Sequence, residues 1–328
     1  MTPLGTFYKL AEDKQEAIIR EFGDSGERWV NTYPELLENC VQRWRLKLIS
    51  AESAGLPINV IFYAETEAGD PVVLKIGHPH REQETEISAL RAYDGRYAVR
   101  IIEWDDETGA FFMERVVPGR KLRDLSSGIE RSRIRIDLVS DLPIPASDVQ
   151  DFPTFGNWIE RAFALFRDGV LLHGTGGEKQ EFLLYMELAE QVYARLLQCY
   201  PEPYLLHGDL HHENILLDEE RGWLAIDPKG VIGPKIMECG RYLHNFIEDE
   251  IPGVENLEDA DDQQILHVLE ERFATFSDML ELDQADIVST AYVDLVLSSC
   301  WSLNSNQQVE FKKLRVLYAL LKNQGPAQ

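Results

Sequence analysis

The spacing of the apolar residues changes at Pro118-Gly119, and that change restricts the chain to a mixed α+β plan. Before this point, β-rich runs come in pairs. Ile58–Ala64 and Pro71–Ile76 flank the turn cluster Thr66–Asp70, and Val99–Trp104 and Ala110–Glu114 flank Asp105–Gly109. Helical spacing fits 11–22, 26–48 and 81–93; in the second, Trp29, Leu36, Leu37, Cys40, Val41 and Trp44 recur on one face, and Asp94-Gly95 closes the third. After Pro118-Gly119, helical spacing runs through 121–139, 155–168, 180–199, 262–281, 284–302 and 306–322, with Ser305-Asn306-Gln307-Gln308 spaced as a capping box for the last. One β island interrupts these helices: Ile215–Leu217, a turn through Asp218–Gly222, then Trp223–Asp227. A chain of 328 residues has the length of roughly two domains. The expected division is a β-rich N-terminal lobe over 1–115, beginning with a helical extension, and a mainly helical C-terminal lobe over 116–328.

Charge narrows the choice of partners. The chain carries 57 Asp and Glu against 32 Lys and Arg, a net charge of −25. Such a field repels phosphate backbones and excludes nucleic acid as a natural partner, whereas cationic small molecules are attracted. The same excess also serves solubility. No run approaches the ~18 apolar residues of a membrane-spanning helix. Met1–Gly5 lacks a basic segment followed by an apolar one, so the cytoplasm is the expected location. Cys40, Cys199, Cys239 and Cys300 lie far apart with no C-x-x-C, which predicts buried free thiols.

The segment His207-Gly208-Asp209-Leu210-His211-His212-Glu213-Asn214 carries the most chemistry. Asp209 and Asn214 are five apart, as in the catalytic loop of protein kinases, where Asp orients or deprotonates an attacking hydroxyl and Asn reaches a magnesium ion. Thirteen residues further on, Asp227 ends an apolar strand just past a hairpin, a place that suits a second magnesium ligand. The D-x-x-x-x-N spacing alone is common by chance. With His207, the hairpin and Asp227 it becomes specific. Upstream, Lys75 sits inside Val72-Val73-Leu74-Lys75-Ile76, where a lysine is costly unless paired or turned out at a sheet edge. In the kinase order of elements it binds the α/β phosphates and pairs with a helix glutamate. Glu82, Glu84 and Glu86 are the candidates, and Glu86, at the apolar face, is the expected partner. Phe111–Val116 takes the place of a hinge, with backbone groups of Glu114 and Val116 meeting adenine.

These motifs resemble the aminoglycoside/hydroxyurea phosphotransferases, the group that contains streptomycin 6-kinases, within the wider protein-kinase-like fold. The resemblance rests on Leu206–Leu216 and Gly222–Gly233, supported by Val73–Gly77, Glu86 with Ala89-Leu90-Arg91, Asp94–Arg96, and Met113–Arg115 with Pro118-Gly119. It covers nearly the whole chain. It implies an ATP-dependent, magnesium-using kinase that phosphorylates a hydroxyl of an aminoglycoside-type antibiotic. Asp209 would be the catalytic base, Asn214 and Asp227 the magnesium ligands, and Lys75 with Glu86 the phosphate clamp. Departures are Glu213 where a small residue is expected, Asp141-Leu142-Pro143 where a Leu-His pair is usual, and Pro234-Lys235 after Gly233. None touches the phosphoryl-transfer set; all bear on the acceptor. Asp227-Pro228-Lys229 replaces the kinase D-F-G, and no A-P-E-type segment follows, so no regulated activation loop is expected.

Other readings of the same residues are weaker. His212-Glu213 begins a zinc motif whose second histidine would be at 216, where Leu216 stands. Gly174–Lys179 lacks the Gly-Lys-Ser/Thr ending of a phosphate loop. Trp29, Trp44, Trp158 and Trp301 read as core aromatics. Between Glu248 and Asp286 stand fourteen carboxylates and one basic residue, Arg272, which makes this run the expected acidic cleft for a cationic acceptor. A kinase of another small alcohol, and a non-catalytic kinase-like nucleotide-binding module, are the alternatives; the complete set Lys75, Glu86, Asp209, Asn214 and Asp227 argues against the second.

Overall fold

The first long element is a helix, α1 (Glu12–Arg43), which Gly23 breaks by leaving helical geometry (φ 57°, ψ −135°). The sequence reading separates two helices across this same glycine but carries the second to residue 48. The helix ends earlier because Arg45 turns left-handed (φ 52°) and the Leu46 N–H reaches back to the Val41 carbonyl. The next residues form β1 (Lys47–Ala51), in which Leu48 is buried between exposed neighbours, a period of two. The computed structural model describes residues 7, 9–52, 58–168, 176–304 and 309–323.

β2 (Asn59–Glu65), β3 (Pro71–Gly77), α2 (Arg81–Tyr93), β4 (Ile101–Trp104) and β5 (Phe111–Glu114) follow. The five strands form one antiparallel sheet of order β1-β2-β3-β5-β4. Alternation decides its two faces. Val60, Phe62, Ala64, Val72, Leu74 and Ile76 form a core with Ile18, Trp29, Tyr33, Leu37 and Cys40 of α1. Each large apolar side chain buried there contributes roughly 1.5–3 kcal/mol, which holds the N-terminal helix on the sheet. The same alternation turns Lys75 to the other face, flanked by Ile61 of β2 and Phe111 of β5 in register.

The remaining elements are β6 (Pro118–Lys121), α3 (Gly128–Asp141), β7 (Ile144–Pro145), α4 (Phe155–Arg167), α5 (Gly176–Cys199), β8 (Pro203–Leu206), β9 (Ile215–Asp218), β10 (Gly222–Ala225), β11 (Val231–Pro234), α6 (Gly240–His244), α7 (Asp262–Leu280), α8 (Gln284–Asn304) and α9 (Phe311–Asn323). The helix expected over 121–139 begins at Gly128, since Ser127 caps it by accepting the Glu130 N–H at 3.3 Å. Likewise Thr154 caps α4 and Asp261 caps α7. The sequence reading misses β7, β8 and β11, which are two to four residues long and form a sheet of order β11-β8-β7.

Two compact units result: residues 1–119 with 217–229, and residues 120–216 with 230–328. A boundary drawn only at 115/116 leaves the hairpin in the wrong unit. The segment belongs to the first because the Val99 N–H donates to the Ala225 carbonyl and the Ala225 N–H to that of Tyr97. Arg221 also donates to the carbonyls of Gly95 and Ala98. In the second unit α8 is central, with Ile287, Val288, Ala291, Tyr292, Val293, Val296 and Leu297 fully buried. Gly240 lets α6 approach it: a β-carbon there would lie 2.7 Å from the Thr290 carbonyl oxygen. Cys40, Cys239 and Cys300 are buried free thiols, while Cys199, expected to be buried, is exposed. No helix among the described residues is long and apolar enough to cross a membrane. The capping box at 305–308 and Gly174-Thr175 of the rejected phosphate loop lie outside the described residues.

Candidate active site

The first unit gathers Lys75, Glu86 and Asp227. Glu86 lies on the inward face of α2 with Gln83, Ala89, Leu90 and Tyr93, spaced three, four and seven apart. The Lys75 ammonium donates to both Glu86 oxygens, at 2.7 and 2.9 Å, and to Asp227 Oδ1 at 3.1 Å. Lys75 and Glu86 are only 4% and 7% exposed. Burial by itself would lower the lysine, yet Asp227 and Glu86 outweigh it and hold the ammonium charged above its ordinary range. Glu86 has one cation for company and a second carboxylate nearby, so burial pushes its carboxyl up to about 7 against the pull of Lys75. Asp227 sits at φ 57°, a left-handed conformation that Asp tolerates better than most residues.

Glu114 and Val116 lie at the end of β5 and just beyond it. The Glu114 N–H is spent on the Arg100 carbonyl and the Arg115 N–H on that of Pro71. The Glu114 carboxylate accepts from the Arg100 N–H at 2.8 Å and pairs with Arg221. The Glu114 and Arg115 N–H groups are thus engaged within the sheet.

The second unit holds the loop from His207 to Asn214, entered from β8. Its shape is fixed by backbone bonds: His211 N–H to the Asp209 carbonyl at 3.0 Å and Asn214 N–H to the His211 carbonyl at 3.0 Å. The Asn214 side-chain amide donates to the Asp209 carbonyl at 2.9 Å. With its nitrogen anchored, Asn214 offers its oxygen as the free end, the end a hard cation takes. Asp227, in its own unit, offers a partly exposed carboxylate. Magnesium needs only one or two protein oxygens when phosphates and water supply the rest, so both donors suit it. No cluster of three or more His, Cys, Asp or Glu among the described residues could hold a metal alone.

Sequence reasoning missed the supports of this loop. Glu238, buried, accepts the His207 N–H at 2.6 Å. Burial pushes its carboxyl up to about 7, opposed by Arg135 and the N–H groups of His207 and Gly208. Arg135 of α3 is fully buried, donates to the Leu210 carbonyl at 3.1 Å and lies 3.6 Å from Glu238. The available signal was Arg131 and Arg135, four apart among the apolar residues of one helix. Arg241 and Asp294 were missed too: Arg241 Nε lies 3.2 Å from Asp209 Oδ1 and 3.3 Å from Asp294 Oδ2. His212 is buried and stacked on Tyr242 at 4.1 Å. Burial, then the nearby Arg272, pushes its imidazole well below the ordinary range.

One expectation changes. Trp158 and Trp301 are half-buried rather than core residues, and they meet edge to face at 5.4 Å. Five of the fourteen carboxylates of the acidic run are engaged: Asp249 with Arg123, Glu250 with Arg131 and Arg272, Asp286 with Arg195 and Tyr200, and Asp261 and Asp283 with N–H groups at helix starts. These five form part of a structural network, with opposite charges and helix starts occupying their oxygens. Glu213, the departure in the loop, lies 3.3 Å from Arg123 and 3.7 Å from Lys121.

Gly208 provides a test of the loop. Its φ is +78°, and a β-carbon there would lie 2.8 Å from Trp158 and 2.9 Å from Val231. Gly208→Ala should lower stability by about 1–3 kcal/mol and reduce turnover per folded molecule. Urea unfolding together with kcat checks this. Stability and turnover equal to the parent would mean the loop is not so constrained.

The sequence model for "Aminoglycoside/hydroxyurea antibiotic resistance kinase" matches residues 48–306. A hydroxyurea phosphotransferase from Kitasatospora aureofaciens is 31% identical over 233 residues, 70% of this chain and 66% of that protein. A streptomycin 6-kinase from Streptomyces glaucescens is 25% identical over 296 residues, 90% of this chain and 91% of that one. Among solved structures, a thermostable mutant of an aminoglycoside phosphotransferase, in ternary complex with ADP and hygromycin B, has a TM-score of 0.58 at 12% identity, covering 89% of this chain and 99% of that one. At that identity the likeness concerns the fold, which is kinase-like, with a β-rich N-terminal region and a helical C-terminal region.

Proposed function

Because the chain belongs to the aminoglycoside/hydroxyurea antibiotic resistance kinases, we propose that it transfers the γ-phosphoryl group of ATP to a hydroxyl of an aminoglycoside-type antibiotic, in the manner of a streptomycin 6-kinase, in the cytoplasm. The observation that carries this reading is the buried Lys75 ammonium held between two carboxylates, 2.7 Å from Glu86 and 3.1 Å from Asp227. Burying an ammonium and a carboxylate against a second, partly exposed carboxylate is costly, and a module without chemistry has no use for them.

Each residue then has a role. Lys75, oriented by Glu86, takes the α/β phosphates. The Glu114 carbonyl and the Val116 N–H meet the adenine edge. Asn214 and Asp227 would hold magnesium, which when bound neutralises charge on the phosphates. Asp209 orients the acceptor hydroxyl and takes its proton as the new O–P bond forms and the bond from the γ-phosphorus to the leaving ADP oxygen breaks. The acceptor is a cationic small molecule drawn by the net charge of −25.

A coupled ADP-release screen over aminoglycosides, hydroxyurea and common metabolic alcohols tests the reading. Saturable, magnesium-dependent ADP release with an aminoglycoside is expected. Release with a metabolic alcohol alone would reassign the acceptor. ATP binding without release for any acceptor would mean a nucleotide-binding module instead.

A further inference from the structure

A buried chain of charges runs behind Asp209. Arg241, on α6, is 8% exposed, and its Nε lies 3.2 Å from Asp209 Oδ1. On its other side Asp294 of α8, 2% exposed, places Oδ2 3.3 Å from the same Nε. Asp294 is itself fixed by His244 Nε2 at 2.6 Å, and the His244 carbonyl accepts from the buried Lys313 ammonium at 3.0 Å. The Arg241 guanidinium lies over the Trp301 ring, 5.3 Å from its centroid. Neither Arg241 Nε nor Nη2, both buried, has a hydrogen-bond partner. Arg241 therefore meets the two carboxylates by charge and position, at a geometry poorer than the fork-to-fork pairing arginine usually adopts.

That arrangement is expensive. An unsatisfied buried donor costs about 1–3 kcal/mol, and a buried ion pair is weak evidence of a stability gain. A helix contact as close as that of α6 and α8 at Gly240 would be served as well by apolar residues. What the arrangement does achieve is to place a cation against one particular oxygen of Asp209, braced by a carboxylate that is itself braced.

We propose that Arg241 is a positioning residue for the reaction: it holds Oδ1 of Asp209 so that Oδ2 is the oxygen presented to the acceptor hydroxyl, and Asp294 with His244 holds Arg241. This deepens the kinase reading and rests on it. A carboxylate free to rotate about its χ2 axis spends only part of its time aimed at the hydroxyl. Misplacement of a reacting group by about 1 Å can cost on the order of 10²-fold in rate. The effect falls on kcat, because Arg241 need touch neither nucleotide nor acceptor.

The test is steady-state kinetics of Arg241→Met, Arg241→Lys and the double variant Arg241→Met/Asp294→Asn, with rates expressed per nucleotide-binding site titrated in each preparation. Arg241→Met should lower kcat by ~10–100-fold with both KM values within about threefold of the parent. Arg241→Lys, which keeps the cation, should recover most of that loss. The double variant removes both charges, so Asp294 is not left as a buried anion without its arginine, and it should remain as slow as Arg241→Met. A purely structural role would lower the number of titrated sites while leaving kcat per site at the parental value, and that result overturns the proposal. So does a rise in acceptor KM at constant kcat, which would make Arg241 a binding residue. A parent chain silent with every acceptor would sink the kinase reading and this proposal with it. An active parent with an unchanged Arg241→Met sinks the proposal alone.

Discussion

Asp209→Asn is expected to lower kcat by ~10²–10⁴ while nucleotide affinity stays nearly constant. The substitution is close to isosteric, and the loop does not depend on the carboxylate for its shape. Asn214 and His211 both bond to the Asp209 backbone carbonyl, and the Asp209 N–H donates to His207 Nδ1 at 3.2 Å. The lost function is that of an anion facing a hydroxyl proton, together with the anion that Arg241 meets. Isothermal titration with ATP alongside turnover separates the two effects. Turnover within a few-fold of the parent would remove Asp209 from the role of base.

Asp227→Ala should weaken Mg·ATP binding by several kcal/mol, a hundredfold or more, and adenosine binding very little. Two contributions act in the same direction. The proposed magnesium ligand is lost, and Lys75 loses one of the two carboxylates it contacts, leaving Glu86 at 2.7 Å. Alanine at φ 57° also strains the backbone. Adenosine, which carries no phosphate, reports that strain separately. Equal losses for Mg·ATP and adenosine by calorimetry would place the effect in the backbone and not in the metal.

The sequence exposed those parts of the site that carry their own local signature. Asp209 and Asn214 stand out because the roles proposed for them need a five-residue spacing within one loop. Lys75 is visible because a charge inside an apolar strand needs a reason, and Glu86 because helical spacing turns it toward that strand. Glu238, Arg241 and Asp294 have no such signature. They act through contacts between residues 31 to 103 apart, and in one dimension an arginine in Gly240-Arg241-Tyr242 resembles any surface arginine. The partners of the acidic run are hidden for the same reason. Counting charge between Glu248 and Asp286 shows the carboxylates but not Arg123, Arg131 and Arg195, which arrive from elsewhere in the chain to neutralise them. In the fold, long periodic helices and the hairpins were legible. The strands β7, β8 and β11 were not, since a strand of two to four residues is too short to display a period.

Incubating the chain with γ-labelled ATP, magnesium and the acceptor found in the screen tests phosphoryl transfer most directly. The label should appear on an acceptor hydroxyl, one for each ADP released, and Asp209→Asn should slow that transfer by the same ~10²–10⁴. ADP formed with all of its label in inorganic phosphate, or label on the acceptor undiminished in Asp209→Asn, would contradict transfer at this site.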